Sequence, residues 1–393
     1  MTNKNHKLSD LNSDFQRFVT DLLLRKNASH LCTEISTEDE MFVKAIMPSY
    51  ENELNISYFK YIESVFRMFD VYHQLVEAHF ENFSKVVNVL DFGSGYGRLT
   101  RSLINHLLAK NIWVSDIYSE AMAWQEQMFG VNTIVSVKDP DQFTLDQSFS
   151  VVFAGSVFSH LPDALFQRWL KRLYHLTSPD GILVFSVHDE KSLPAGERMG
   201  KDGIHYLTFS ESDSLSTDVY GMTYVTDAYI KRSVEQLDPF QRLQFHRFPK
   251  ALYENQDLYV IVKNKIRHPG FTIKISPMGG FITMYPGPEK SITFSGWAID
   301  LNQGHQVISF VVFCDARQIH DSTTLKDYEE ASRFFPGAPN MPVLWSFTLP
   351  ASMFQAHCLI RIELHSSSGS VGYAYATVPE GDMVPGFLRG LAT

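Results

Sequence analysis

Between residues 86 and 187 the hydrophobic period of the chain switches back and forth, and this alternation leaves few folds open. Val86-Val87-Asn88-Val89-Leu90 is a short, nearly continuous apolar run, the pattern of a strand covered on both faces. Helical spacing follows through Leu99, Leu103, Ile104 and Leu107, and a second run, Ile112-Trp113-Val114, ends at Asp116. Thr133 to Val137 and Ser150 to Ala154 read as a third and fourth strand. A helix follows, carrying Leu165, Phe166, Trp169, Leu170 and Leu173. Ser178-Pro179-Asp180-Gly181 is a turn sequence, and Ile182 to Val187 resumes as a fifth strand. Strands separated by helices imply a doubly wound, mostly parallel α/β sheet.

Residues 243 to 248 and 257 to 263 are two further strands joined too briefly for a crossover helix, so they are expected as an antiparallel hairpin at the edge of this Rossmann-like sheet. Upstream, residues 14 to 25 and 58 to 79 carry amphipathic helical spacing, the second through Ile62, Val65, Phe66, Phe69, Tyr72 and Val76. Around Arg267-His268-Pro269-Gly270 helical periodicity fades. Short strands punctuated by Gly and Pro take over, the signature of an all-β sandwich. The expected division is a helical segment over 1–54, an α/β domain over 55–267 and a β-sandwich over 268–393. The phase of alternation shifts at Gly296, which suggests a bulge there, and Trp297 is expected in the core.

A length of 393 residues suits two or three domains, and 44% hydrophobic with 20% charged residues is a globular composition. The net charge of −10 disfavours a general nucleic-acid binder. Cys32, Cys314 and Cys358 form neither a disulfide framework nor a thiolate zinc site. No stretch approaches the ~20 apolar residues that span a bilayer, and the polar N-terminus lacks a signal-peptide pattern. A cytoplasmic protein without membrane partners is expected.

The first strand runs into Leu90-Asp91-Phe92-Gly93-Ser94-Gly95-Tyr96-Gly97-Arg98, after which a helix is expected. Glycines let the backbone turn sharply and approach a ligand, and a helix N-terminus offers unpaired N–H groups to an anion. Asp116 stands where an acid can accept both hydroxyl protons of an adenosine ribose. Two cofactors compete for such a site. A dinucleotide loop reads G-x-G-x-x-G and holds a doubly charged pyrophosphate, which an acid two residues before the first glycine would repel. Here the spacing is G-x-G-x-G with Asp91 in that place, and an acid there balances the ammonium of a methionine moiety. The local chemistry favours S-adenosylmethionine.

At residues 55 to 265 the chain resembles the class I S-adenosylmethionine-dependent methyltransferases. The resemblance rests on Val89 to Gly97, on Asp116, on Val151-Val152-Phe153-Ala154-Gly155-Ser156-Val157-Phe158-Ser159-His160-Leu161, and on the Pro179-Asp180-Gly181 turn into the fifth strand. It implies that Asp91, Phe92, Gly93, Ser94 and Gly95 border the methionine part of the cofactor, that Asp116 holds the ribose and that Ile117 packs on the adenine. Asp139 or Asp141 then meets the adenine edge, and Ala154, Gly155 and Ser156 pass beneath the methyl-donor sulfur. His160 is left toward the substrate, and Tyr58 reaches over the cofactor from the preceding helix. Arg98 reads as a helix-surface cation.

Methyl transfer from a sulfonium needs alignment and desolvation above all, and an alcohol acceptor also needs a base. His160 and His188 are the candidate bases, with Asp189 beside the second. No carboxylate cluster or H-x-x-x-H pair suggests a metal, so none is expected. The polar stretch from Lys191 to Asp218, with Tyr220 to Thr226 after it, is a candidate acceptor-recognition lid. Ser295-Gly296-Trp297-Ala298-Ile299-Asp300 and Arg333-Phe334-Phe335-Pro336 resemble a β-sandwich module attached to glycosyltransferases and methyltransferases of surface-glycan and natural-product clusters. The expected function is methylation of a hydroxyl or amine on a small-molecule, sugar or glycan acceptor, with homo-oligomerisation through the β-domain. A dinucleotide-dependent oxidoreductase and a noncatalytic scaffold are the alternatives.

Overall fold

The structure, a computed structural model, describes residues 4–209, 215–238, 243–253, 255–263, 270–355 and 357–378. Arg267, His268 and Pro269, where the sequence changes character, lie outside the described residues, as does 210–214 of the polar stretch. Two compact units are present. One comprises Met1–His6, His30–Ala45 and Ser64–Ile273, the other Lys7–Ser29, Ile46–Glu63 and Lys274–Thr393. The first 54 residues, expected as one helical segment, are thus divided between the units. Amphipathic helices have no core of their own and must cover one belonging to another layer. Helix α1 (Ser13–Arg25), capped by the Asn12 side chain, buries Phe15, Phe18, Val19, Leu22 and Leu23. Helix α2 runs from Leu54 to Phe80 and contributes its residues up to Glu63 to the second unit and the rest to the first.

The first unit is built on β1 (Val89–Phe92), β2 (Ile112–Asp116), β3 (Asn132–Val135), β4 (Phe149–Ala154), β5 (Thr177–Asp189), β6 (Ile204–Leu207), β7 (Met222–Val225), β8 (Gln244–Leu252) and β9 (Gln256–Val262). The main strand order is β8-β9-β5-β4-β1-β2-β3, and the five central strands pair in parallel. The β8–β9 hairpin closes one edge in antiparallel pairing, as its brief connection requires. Helices α3 (Ser119–Phe129), α4 (Asp163–Leu176) and α5 (Asp227–Glu235) complete the unit. Its core joins Leu90, Val152, Leu183 and Ile261 of the sheet to Phe166, Trp169, Leu170 and Leu173 of α4, the stripe read from the sequence.

Three local features differ from the sequence reading. The segment after the glycine loop is a regular α-helix only over Thr100–Leu103, with irregular turns on either side. The Ser178-Pro179-Asp180-Gly181 turn is absorbed into β5. Pairing with β4 jumps from Phe149↔Thr177 to Val151↔Ile182, so the turn residues bulge out of the ladder without ending the strand. Strand β5 then runs on through Asp189, because β7 adds alongside its end in parallel and β6 pairs with β7.

The second unit contains two four-stranded antiparallel sheets. Strands β10 (Met278–Gly287), β11 (Ser291–Ile299), β14 (Leu325–Asp327) and β15 (Val343–Pro350) form one in the order β10-β11-β15-β14. Strands β12 (Val307–Cys314), β13 (Arg317–Ser322), β16 (Leu359–Ser366) and β17 (Val371–Thr377) form the other in the order β13-β12-β16-β17. Phe281, Phe294 and Trp345 meet Phe310, Ile362 and Leu364 in a shared core. Trp297 is only partly buried, packing on Phe335 at 5.4 Å, and Trp345 takes the core place expected for it. A side chain at Gly296 would meet the Trp345 ring at 2.0 Å, so glycine makes room for that indole. The extra residue lies in the partner strand, between Phe281 and Thr283, opposite Gly296 and Ser295. On this unit Asp21 of α1 accepts hydrogen bonds from Arg361 (3.2 Å) and Tyr375 (3.1 Å).

Candidate active site

The strand order reverses between β1 and β4, and a crevice opens outside their carboxyl ends, where ligands enter doubly wound sheets. The loop after β1 borders it. Gly93, Gly95 and Gly97 have φ of 72°, 52° and 74°, a region that L side chains rarely adopt. A Cβ on Gly93 would also lie 2.3 Å from Val157 Cγ2, so this turn and the β4 crest fit together only through glycine.

The loop is fastened to the acid at the end of β2. Asp116 Oδ2 accepts from the Gly95 amide at 2.8 Å and Oδ1 from the Tyr118 amide at 3.2 Å. Each carboxylate oxygen keeps acceptor capacity for a ligand hydroxyl. Burial raises the Asp116 pKa, and the backbone hydrogen bonds oppose that rise. Asp91, at the end of β1, is buried and accepts from Thr100 Oγ1 at 3.2 Å; burial lifts its carboxyl to about 7.

A segment from near the N-terminus covers the crevice with Asp39, Glu40, Met41 and Lys44. It is anchored from below by Arg101, which is fully buried and donates to the carbonyls of Cys32 and Glu34 (both 3.1 Å) and to Gly97 O at 3.2 Å. One guanidinium thus joins the covering segment to the glycine loop. Helix α2 adds Met68 and Tyr72. Tyr58, expected to reach the cofactor, is instead fully buried in the second unit and is not among the cleft-lining residues. Arg98 also lines the cleft, its guanidinium 4.2 Å from the centre of the Tyr253 ring. It is not a helix-surface cation, because regular helix begins only at Thr100.

At the crest of β4, Ser156 has φ 57° and is held by a ring of hydrogen bonds. Its amide donates to Ser186 Oγ (2.7 Å), Ser186 donates to Gln256 Oε1 (2.6 Å), and Gln256 Nε2 returns to Ser156 Oγ (2.8 Å). Gly155 and Ser156 line the cleft; Ala154 is fully buried within the strand and does not.

His160 lines the cleft from the loop after β4. Its Nδ1 donates to the Gly221 carbonyl at 2.8 Å, which leaves Nε2 as the acceptor nitrogen. The ring stacks on Tyr220 at 4.5 Å and 15°, and backbone bonds between residues 159–160 and 221–223 fix the pair. Burial holds His160 down to about 4. His188 does not line the cleft: β5 continues past it, and it lies in the sheet against Tyr224, 6.4 Å from the His160 ring. Asp189 is likewise buried and binds Lys250 Nζ at 2.7 Å.

Phe92, Ile117, Val137 and Leu161 form the apolar side of the crevice beyond Asp116. Asp139 is not there. It is drawn outward with Asp141 into an ion pair with Arg168 of α4. Tyr72, Tyr253 and the covering residues were not legible as site residues. Tyr72 reads as one more apolar position of its helix, and nothing local marks the others. No group of three or more metal-ligating side chains is assembled, and no helix is long and apolar enough to cross a membrane, among the described residues.

The site is thus a crevice where the strand order reverses, with a glycine loop set between two strand-end acids. Residues 90–183 match a family described as "Methyltransferase domain". The chain is 24% identical over 124 residues to the malonyl-[acyl-carrier protein] O-methyltransferase of Calditerrivibrio nitroreducens, covering 32% of this chain and 47% of that protein. It therefore spans about half the length of this curated relative. Among solved structures, the plantazolicin methyltransferase BamL is 13% identical with a TM-score of 0.39, over 58% of this chain and 97% of that one. The 1,6-didemethyltoxoflavin-N1-methyltransferase of Burkholderia thailandensis is 15% identical with a TM-score of 0.37, over 57% and 87%.

Proposed function

We propose that the protein transfers a methyl group from S-adenosylmethionine to a hydroxyl or amine of a small-molecule, sugar or glycan acceptor. The observation that carries this reading is the pair of strand-end carboxylates, buried Asp91 and half-buried Asp116, on either side of a loop whose glycines take left-handed conformations. The bound sulfonium nucleoside supplies an activated methyl group. The protein then has to bind, orient and exclude water. Asp91 balances the ammonium of the methionine end and Arg98 faces its carboxylate. Asp116 accepts the ribose hydroxyls, with Phe92 and Ile117 along the base. Gly155 and Ser156 underlie the reacting centre, and His160 Nε2 is the acceptor for a substrate proton.

A dinucleotide fits this crevice poorly. Its pyrophosphate would face Asp91, and the single turn Thr100–Leu103 gives no helix N-terminus to offset that charge. A noncatalytic scaffold is the other alternative. Incubation with methyl-labelled donor and an acceptor panel separates that reading, since a scaffold transfers no label to any acceptor.

Asp116→Ala weakens donor binding by about 1–3 kcal/mol, roughly 5- to 150-fold in Kd, because a buried hydroxyl pair loses its acceptor. Isothermal titration checks this, and an unchanged Kd removes Asp116 from the donor site. Donor affinity also depends on pH through Asp91. Its carboxyl titrates near 7 in the free protein and must be ionised opposite a cation, so binding releases a proton below that pH. Affinity is full above about 7 and falls by up to about tenfold per unit as pH drops toward 5. Asp91→Asn binds weakly and without this dependence; retention of the same pH profile would assign it to another group.

A further inference from the structure

The acceptor side of the crevice is walled by Met41, Met68, Tyr72, Tyr253, Tyr220 and His160. Most of its polar atoms are already engaged. Tyr253 Oη donates to Met68 Sδ at 2.9 Å, Ser156 Oγ accepts from Gln256, and the Gly221 carbonyl accepts from His160. Two others carry the argument. One is His160 Nε2, the acceptor. The other is Tyr72 Oη, which is fully buried and has no hydrogen-bond partner among the described residues. That hydroxyl lies 3.0 Å from where a Cβ on Gly155 would stand, so it sits directly at the β4 crest. A buried hydroxyl without a partner is costly, and a ligand that supplies one is favoured.

We infer that the acceptor is a neutral, flat aromatic hydroxyl compound, a phenol, whose oxygen donates to His160 Nε2 and accepts from Tyr72 Oη, a refinement that rests on the methyl-transfer reading above. One hydroxyl matches one acceptor and one donor. An arylamine can give a proton to His160, but its nitrogen lone pair is spread into the ring and accepts poorly from Tyr72. Acceptors bearing carboxylate or phosphate meet Asp39, Glu40, Asp91 and Asp116, against which stand Arg98 and a Lys44 already paired with Glu40 at 2.8 Å. The stacked His160–Tyr220 pair suits a planar ring.

The step balances without a co-reactant. The acceptor oxygen forms its bond to the methyl carbon as the sulfur–carbon bond breaks, both electrons of that bond stay on sulfur, and the phenolic proton passes to His160 Nε2 and on to solvent. Burial makes His160 a weak base, so a phenol, with a pKa of about 10, gives up its proton to it less unfavourably than an aliphatic alcohol would.

The full chain saturated with S-adenosylhomocysteine is titrated calorimetrically with 1-naphthol, 1-naphthylamine, naphthalene-1-carboxylate and methyl glucoside. 1-Naphthol is expected to bind at least about tenfold more tightly than each of the others. Tyr72→Phe is expected to lose about tenfold for 1-naphthol, with its melting temperature and its affinity for S-adenosylhomocysteine kept. Equal or tighter binding of any comparator overturns the inference. So does wild-type affinity of Tyr72→Phe for 1-naphthol, or no binding of 1-naphthol by protein that holds S-adenosylhomocysteine. A protein that binds no S-adenosylhomocysteine instead overturns the donor reading itself, and the two failures are told apart in the first titration.

Discussion

Removal of the imidazole in His160→Ala lowers kcat by about 10²- to 10⁴-fold and leaves donor Kd nearly unchanged, the loss expected of a positioned general base. Orientation carries the argument. The Gly221 carbonyl fixes the proton on Nδ1, so Nε2 presents a lone pair at every pH above the residue's own titration. With that titration held near 4, kcat is flat from about pH 5 to 8 in this residue's contribution and falls only as pH drops through 4. The same depression bears on stability. The unfolded imidazole takes up a proton near 6.5, so the neutral folded form contributes fully above that pH, and the contribution is lost between 6.5 and 4. His188→Ala is the internal control: its ring lies off the cleft, so its cost falls on folding. Wild-type turnover in His160→Ala would leave alignment as the whole of catalysis.

Lys250→Met destabilises the first unit by about 3–5 kcal/mol, because it strands a buried carboxylate. The lysine is 1% exposed, and its Nζ reaches Asp189 Oδ1 at 2.7 Å and Ser192 Oγ at 2.8 Å. Methionine fills much of the same space, so the loss is electrostatic and not a cavity effect. Arg247 stands 3.8 Å from Asp189, and Ser192 donates to it at 3.0 Å; these partners set the result at the lower end. Adding Asp189→Asn to Lys250→Met is expected to recover much of the loss, since no lone charge then remains. Denaturant midpoints of the three proteins check this, and a single-variant cost under about 1 kcal/mol would mean that the ion pair is not effectively desolvated.

The central sheet was legible because parallel strands must be apolar on both faces, which Val89-Leu90 and Val151 to Phe153 are. The two acids at strand ends were legible for a related reason, since a charged residue closing an apolar run has few places to go but the sheet edge. Depth along a helix was not. Tyr58 and Tyr72 lie on nearly the same face of α2 about four turns apart, and periodicity reports the face but not the turn that meets the site. Asp139 and His188 failed through long-range competition. Arg168 of α4 draws the first away, and strand β7 encloses the second. Tyr220 fell within the segment expected to meet the acceptor, and it reaches the cleft by pairing with residues 159–160, a contact no local pattern announces.

The anchoring of residues 32 and 34 by Arg101 has a consequence for biosynthesis. The stretch that closes the crevice emerges from the ribosome before any strand of the sheet beneath it. Its docking point appears only after β1 has been made, and the parallel ladder is complete only once β5 has joined β4. The earliest translated part of the pocket must therefore wait, unattached, for the later part to reach it, and vectorial folding from the first residue onward cannot assemble this site.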